Sequence, residues 1–205
     1  MTTKNDDVPA RRLVHTRRIV CTGYARNDGL FDIEANMLDT KTHDSDLLFK
    51  HVQAGQPIHS MTLVVTIDRD LVIQRVEART EVGPTPYCHE INAAYEGLKG
   101  VTIGPGFNRE IKRRLGGAQG CTHLSELLGP LATTAIQTLM GLQRKAAPAR
   151  DPSATRGHPM INTCHAWRQD GEVVAVTRGL RARENHTSAP ADGRCEVDSL
   201  SDASR

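Results

Sequence analysis

The strongest constraint on this chain is a turn triplet, Asn27, Asp28 and Gly29, set between two runs of alternating residues at 13–25 and 30–41. Such a triplet supplies positive φ at little steric cost, so the two runs read as a β-hairpin. On its second strand Phe31, Ile33, Ala35 and Met37 fall on one face, with Leu30, Asp32, Glu34, Asn36 and Leu38 on the other. Asp32 and Glu34 share a face bracketed by leucines. That face is therefore either wet or the border of a polar pocket fed by His15, Arg17 and Arg26.

A second hairpin follows. Met61, Leu63, Val65 and Ile67 alternate with Thr62, Val64 and Thr66, the chain turns through Asp68, Arg69 and Asp70, and residues 71–79 return. Gly55 and Pro57 punctuate the entry, and Gly83, Pro84 and Pro86 the exit. From Cys88 the period becomes helical, with a stripe of Ile91, Ala94, Tyr95 and Leu98. Gly104, Pro105 and Gly106 precede a short basic helix that ends at Gly116 and Gly117. The longest helix is expected over 122–142, with Thr122 as N-cap and a buried stripe that includes Leu124, Leu127, Leu128, Leu131 and Ala135. Pro130 inside it should bend the helix or mark its real start. Strands first and helices second imply an α+β fold, an antiparallel sheet of two hairpins with helices packed on one face. One domain is expected over 13–168. It has a linker-like stretch at 147–158, where Ala, Pro and Arg accumulate, and disordered segments at 1–12 and 182–205.

Aromatic residues are 3% of the chain, so the core must come from Leu, Val, Ile and Ala. A net charge of +2 with scattered basic residues argues against nucleic acid. The one dense cluster, residues 109–114, has no aromatic platform beside it and reads as a solvated helix face. There is no signal-peptide pattern and no apolar run long enough for a membrane span. Five cysteines, an odd number without a dense framework, point to a reducing cytoplasm.

Chemistry concentrates at Cys88 and Cys121, each immediately before an expected helix, with His59 and His123 in the same part of the chain. Helix N-termini favour thiolate over thiol. Together His59, Cys88, Cys121 and His123 make a two-thiolate, two-imidazole set suited to zinc or ferrous iron. If only three of them bind, the open position takes water or substrate, as at a catalytic Lewis acid. Alternatively Cys121 is a nucleophile activated by the helix end and His123, or the cysteines are buried without a ligand. Asp32 or Glu34 is the candidate general base, and a salt-bridged strand face is the plainer reading of the pair. Cys164 and His165, beside Trp167, are further candidates for the site. Residues 103–107 have too few glycines for a phosphate loop, and Lys112 lacks the following Ser or Thr, so a nucleotide enzyme is not expected.

Residues 15–35 and 120–135, with Gly55 to Leu63 and Ile103 to Phe107 in support, resemble the bacterial family catalogued as domain of unknown function 2889. The resemblance implies one fold over residues 13–168, and an aromatic substrate from the catabolic bacteria in which relatives occur. Residues 55–68 and 71–80, followed by Cys88 and Cys121, are also similar in order to iron–sulfur scaffold proteins of the NifU type. That likeness places His59, Cys88 and Cys121 at the three ligand positions. The chain departs from it at Met61, where the scaffolds have aspartate, and at Gly120, where they have histidine.

The combined expectation is a cytoplasmic, metal-binding enzyme of lyase or hydrolase type acting on a small molecule. Its rivals are a metal or iron–sulfur carrier and a structural module without metal. An enzyme should enclose carboxylates and thiolates in one pocket. A carrier should leave the cluster exposed and the carboxylates far away.

Overall fold

The structure, a computed structural model, describes residues 10–146 and 160–177. The chain divides into two units, residues 1–146 and 147–205. In the first unit β1 (His15–Ala25), β2 (Phe31–Lys41), β5 (Pro57–Ile67) and β6 (Ile73–Val82) form a four-stranded sheet in the order β1-β2-β5-β6. All three pairings are antiparallel. Between β2 and β5 the chain makes a separate two-stranded ladder of β3 (Ser45–Asp46) and β4 (His51–Val52), which the alternation does not announce. The helices of this unit are α1 (Phe107–Leu115) and α2 (Thr122–Ala146). This is the expected α+β architecture.

Both hairpins arise from turn chemistry at the expected places. Gly29 takes φ +85° in the first turn, where Arg26 N–H donates to the Leu30 carbonyl at 3.0 Å. In the second, the Asp68 carboxylate accepts the backbone N–H groups of Asp70 and Val72, and Leu71 carries φ 62°. Phe31, Ile33, Ala35 and Met37 are buried on the inner face of β2, opposite Ile67, Val65, Leu63 and Met61 of β5. Across this face lies α2, touching β1, β2 and β5 and burying Leu124, Leu127, Leu128, Leu131 and Ala135 against it. Gly23 permits the close approach to β1: a Cβ there would stand 2.0 Å from Thr138 Oγ1.

Two local expectations are corrected. The stripe of Ile91, Ala94, Tyr95 and Leu98 forms turns followed by a 3-10 helix, Asn92–Leu98, so Cys88 lies among turns rather than at a helix N-terminus. The turn bonds there run from each N–H to the carbonyl three residues back, Glu90 to Tyr87, Asn92 to His89 and Ala94 to Ile91, the 3-10 pattern. At the start of α2 the first intrahelical bond, Ser125 N–H to the Cys121 carbonyl, makes Cys121 the capping residue instead of Thr122. The helix runs on through Pro130. On α1, Arg113 and Arg114 both bond Glu110 and pull its carboxyl down to about 2.

In the second unit residues 160–177 form turns, a 3-10 helix at His165–Trp167 and α3 (Glu172–Thr177). Asn162, with φ 61°, accepts the Gln169 N–H on its side chain. Residues 1–9, the linker-like stretch at 147–158 and the C-terminal segment at 182–205, with Cys195, lie outside the described residues. No helix among the described residues is long and apolar enough to cross a membrane.

Candidate metal centre

Successive residues of a strand look to opposite sides, so the inward series of β2 does not stop at Met37. Its next member is Asp39, fully buried. The register sets Arg17 of β1 and His59 of β5 directly beside Asp39 on its two sides. Three adjacent strands thus end their apolar inner face in one polar row. The ladder between β2 and β5 shifts immediately after it, between Asp39 and Thr40.

Arg17 grips Asp39 as a fork, Nε to Oδ1 at 2.8 Å and Nη2 to Oδ2 at 2.6 Å. Its remaining terminal nitrogen, Nη1, donates to Glu126 of α2. His15 Nε2 stands 3.6 Å from Asp39 Oδ1. Burial works to raise the Asp39 carboxyl, but the bonds and charge of Arg17, with the bond to His59, outweigh it and hold the pKa below the ordinary range. The carboxylate is therefore ionised, and His59 Nδ1, 2.9 Å from Oδ2, must donate to it. That bond fixes the tautomer and leaves a lone pair on His59 Nε2. Nε2 is buried and has no hydrogen-bond partner.

The fourth contributor comes from α2. Tyr95, fully buried in the 3-10 helix, accepts the Cys121 N–H at 3.1 Å and donates to the Cys121 carbonyl at 2.8 Å; Ser125 Oγ is also 2.8 Å away. This hydroxyl meets the N–H of the capping residue itself, the group that the N3 side chain of a capping box would reach. With Cys121 so fastened, His123 lies over His59, ring centroids 3.8 Å apart and planes tilted by 33°. Burial first, then the charge of its ring neighbour, pushes His59 below its usual pKa despite Asp39. Burial and then Arg17 do the same to His123. Both rings are therefore neutral at pH 7. One guanidinium against the carboxylates of Asp39 and Glu126 leaves an excess of negative charge. Asp39, His59 and His123 each offer a ligand atom within 4.8 Å of the others. Cys121 Sγ lies 4.0 Å from His123 Nδ1.

A family model described as a protein of unknown function (DUF2889) matches residues 15–137, more than half of the chain. The chain belongs to that family. The DUF2889 match runs from the first residue of β1 into α2 and so contains every residue of the polar row, as well as His123, Glu126 and Tyr95. No curated protein and no solved structure matches the chain.

In this DUF2889 protein the four expected metal ligands divide. His59 and His123 stack, and Cys121 adjoins His123. Cys88 bonds Thr85 Oγ1 through its thiol at 3.2 Å and lines an open depression of about 520 Å³ with Tyr87, Glu90, Ile91 and Cys121. Cys121 is thus common to the centre and the depression. Asp32 and Glu34 lie on the outer face of β2, opposite to Asp39. Asp32 accepts from Thr66 Oγ1 at 2.6 Å and from Arg26 at 3.3 Å, while Glu34 accepts from Asn36 at 2.8 Å. Only Arg26 of the three expected basic residues serves that face; His15 and Arg17 turn to Asp39. Cys21 packs against the core, and burial pushes its thiol up. Cys164 is exposed in the second unit. Asp39 and Glu126 were both missed, and Asp39 is the one that carried a signal. That signal was the phase of the strand, with Asp39 two residues beyond Met37 and His59 two before Met61.

Proposed function

We propose that this corner is a centre for zinc or ferrous iron and that the protein is a metal-dependent small-molecule enzyme of hydrolase or lyase type. The supporting observation is the buried, unpartnered Nε2 of His59, whose other nitrogen is committed to Asp39. A buried polar atom without a partner calls for an unseen ion or water, and a carboxylate behind an imidazole is the usual second layer of a metal site. His59 Nε2 and His123 would hold the ion, with Cys121 as a third donor. Asp39 acts from behind, because Arg17 and His59 already occupy its oxygens. When bound, such an ion supplies Lewis acidity and acidifies a bound water.

The protein's own residues prepare that chemistry. Arg17 keeps Asp39 ionised, Asp39 keeps the His59 lone pair directed away from itself, and Tyr95 holds the helix start that carries His123. The excess negative charge favours a cation. With Asp32 and Glu34 on the far face, the proton acceptor for a reaction here is Glu126. The depression beside Cys121 is the place for a small substrate, an aromatic one by the family resemblance. Free cysteines at 21, 88, 121 and 164 support a reducing, cytoplasmic setting.

One observation favours a metal or iron–sulfur carrier instead: Cys88 and Cys121 line the same open depression, away from Asp32 and Glu34. Protein purified without oxygen separates the two. Zinc or iron near one equivalent, lost in His59→Ala and His123→Ala but kept in Cys88→Ser, supports the enzyme centre. Metal with labile sulfide, lost in Cys88→Ser and Cys121→Ser, supports the carrier. Wild-type protein that takes up neither metal when either is offered in excess overturns both.

A further inference from the structure

Among the described residues β1, 11 residues long, is an edge strand of the sheet and pairs with β2 alone. Its register with β2 runs without a shift from His15 to Ala25. Soluble proteins blunt such edges with proline, charged side chains or a bulge, since an unpaired row of N–H and C=O groups invites another strand. β1 has no proline and no bulge, and its two arginines both lie in its first half, Arg17 drawn inward to Asp39. On the outer face of the sheet, Val20 and Tyr24 are instead each 49% exposed.

We propose that β1 is a dimerisation edge and that its partner is the β1 of a second copy, joined antiparallel into one continuous sheet. The distribution of charge along the strand argues for this occupant. Residues directly opposite in an antiparallel ladder point to the same side, so a two-fold axis normal to the sheet sets one residue against its own copy. Pairing all 11 residues of β1 puts Val20 at that position. Arg17 and Arg18 then face Gly23 and Thr22 of the other copy, and Thr16 faces Tyr24. No like charges meet, because the basic residues of β1 all lie in its first half. The exposed apolar side chains meet at the axis and flank it. The interface leaves the inner face, with Asp39 and His59, untouched, so it does not depend on a metal.

Sedimentation equilibrium of the full chain at tens of micromolar tests the pairing. The expected wild-type mass is twice that of the monomer. Val20→Lys and Val20→Glu, both at an exposed position, should each weaken self-association by about ten-fold or more, since each sets like charges face to face. Mixed in equal amounts, the two variants should dimerise again, because the axis now joins Lys to Glu. Far-ultraviolet circular dichroism reports that each variant is folded; should either lose its fold, Tyr24→Lys takes its place as the weakening variant. A monomeric wild type overturns the proposal. So do a dimer indifferent to these substitutions and charge-swapped proteins that fail to associate when mixed.

Discussion

Asp39 and His59 face each other across β2 and β5, and the carboxylate of one accepts the Nδ1–H of the other at 2.9 Å. Both lie where the alternation would place another Val or Leu. The inner face of the sheet thus closes on a charged row rather than fraying into solvent, and the row is joined to α2 through Arg17 and Glu126.

Asp39→Asn should destabilise the protein by about 3 kcal/mol, because it leaves the Arg17 fork without its buried counter-charge. Arg17→Met should cost a similar amount by stranding the carboxylate. The double variant Arg17→Met with Asp39→Leu should cost less than the two singles together, as breaking one half of an ion pair is worse than removing both. Urea unfolding measures all three. Additive losses would mean that the pair is not coupled.

Stability should fall as pH drops below the ordinary histidine value of about 6.5. His59 and His123 have depressed pKa values in the fold, so the unfolded chain binds more protons in that window. Their contribution is complete above about 6.5 and is lost as pH falls through the folded values. Asp39, also depressed, adds a second loss below the ordinary carboxylate range. Urea midpoints measured from pH 8 to pH 4 should show the first decline in wild type and a shallower one in His123→Gln. An equal slope in both would contradict the assignment.

Tyr95→Phe keeps the ring in the core but removes the hydroxyl that holds Cys121. The expected cost is about 1.5 kcal/mol, mainly from the unmet Cys121 N–H. The helix start should loosen as well, weakening the nuclear Overhauser contacts between the His59 and His123 rings. Unchanged contacts would show that His123 is held by other means.

Gly23→Ala should lose about 1–3 kcal/mol, the usual result of forcing a methyl into a filled space. The obstacle is Thr138, whose hydroxyl lies 2.0 Å from the new Cβ. Adding Thr138→Ala should restore much of the loss in thermal unfolding. If it restores nothing, the strain lies in the backbone of β1.

Much of this fold is legible in the sequence because period is a local property. Phe31 to Met37, Met61 to Ile67 and the leucines of α2 each declare their own face. The centre is less legible for two physical reasons. An apolar run is read as ending at its last apolar residue, so Met37 hid Asp39, although the same phase continues. The meeting of Asp39 with His59 also depends on pairing across residues 42–56, which hold a second ladder and whose length alone sets no register. His59 and His123 were visible by residue type. Cys88 was set at a helix end because Ile91, Ala94, Tyr95 and Leu98 suit two turns of α-helix as well as a 3-10 segment.

The phase of β2 has one more consequence. Neighbouring side chains of an extended strand swap sides, so removing a single residue between Phe31 and Asp39 would turn the carboxylate out to water and carry outward-facing residues into the interior. Exchange at Asp32 or Asn36 disturbs a half-buried face and one bond to Thr66 or Thr62, whereas a change of length inverts the whole strand. β2 therefore has far more freedom in composition than in count.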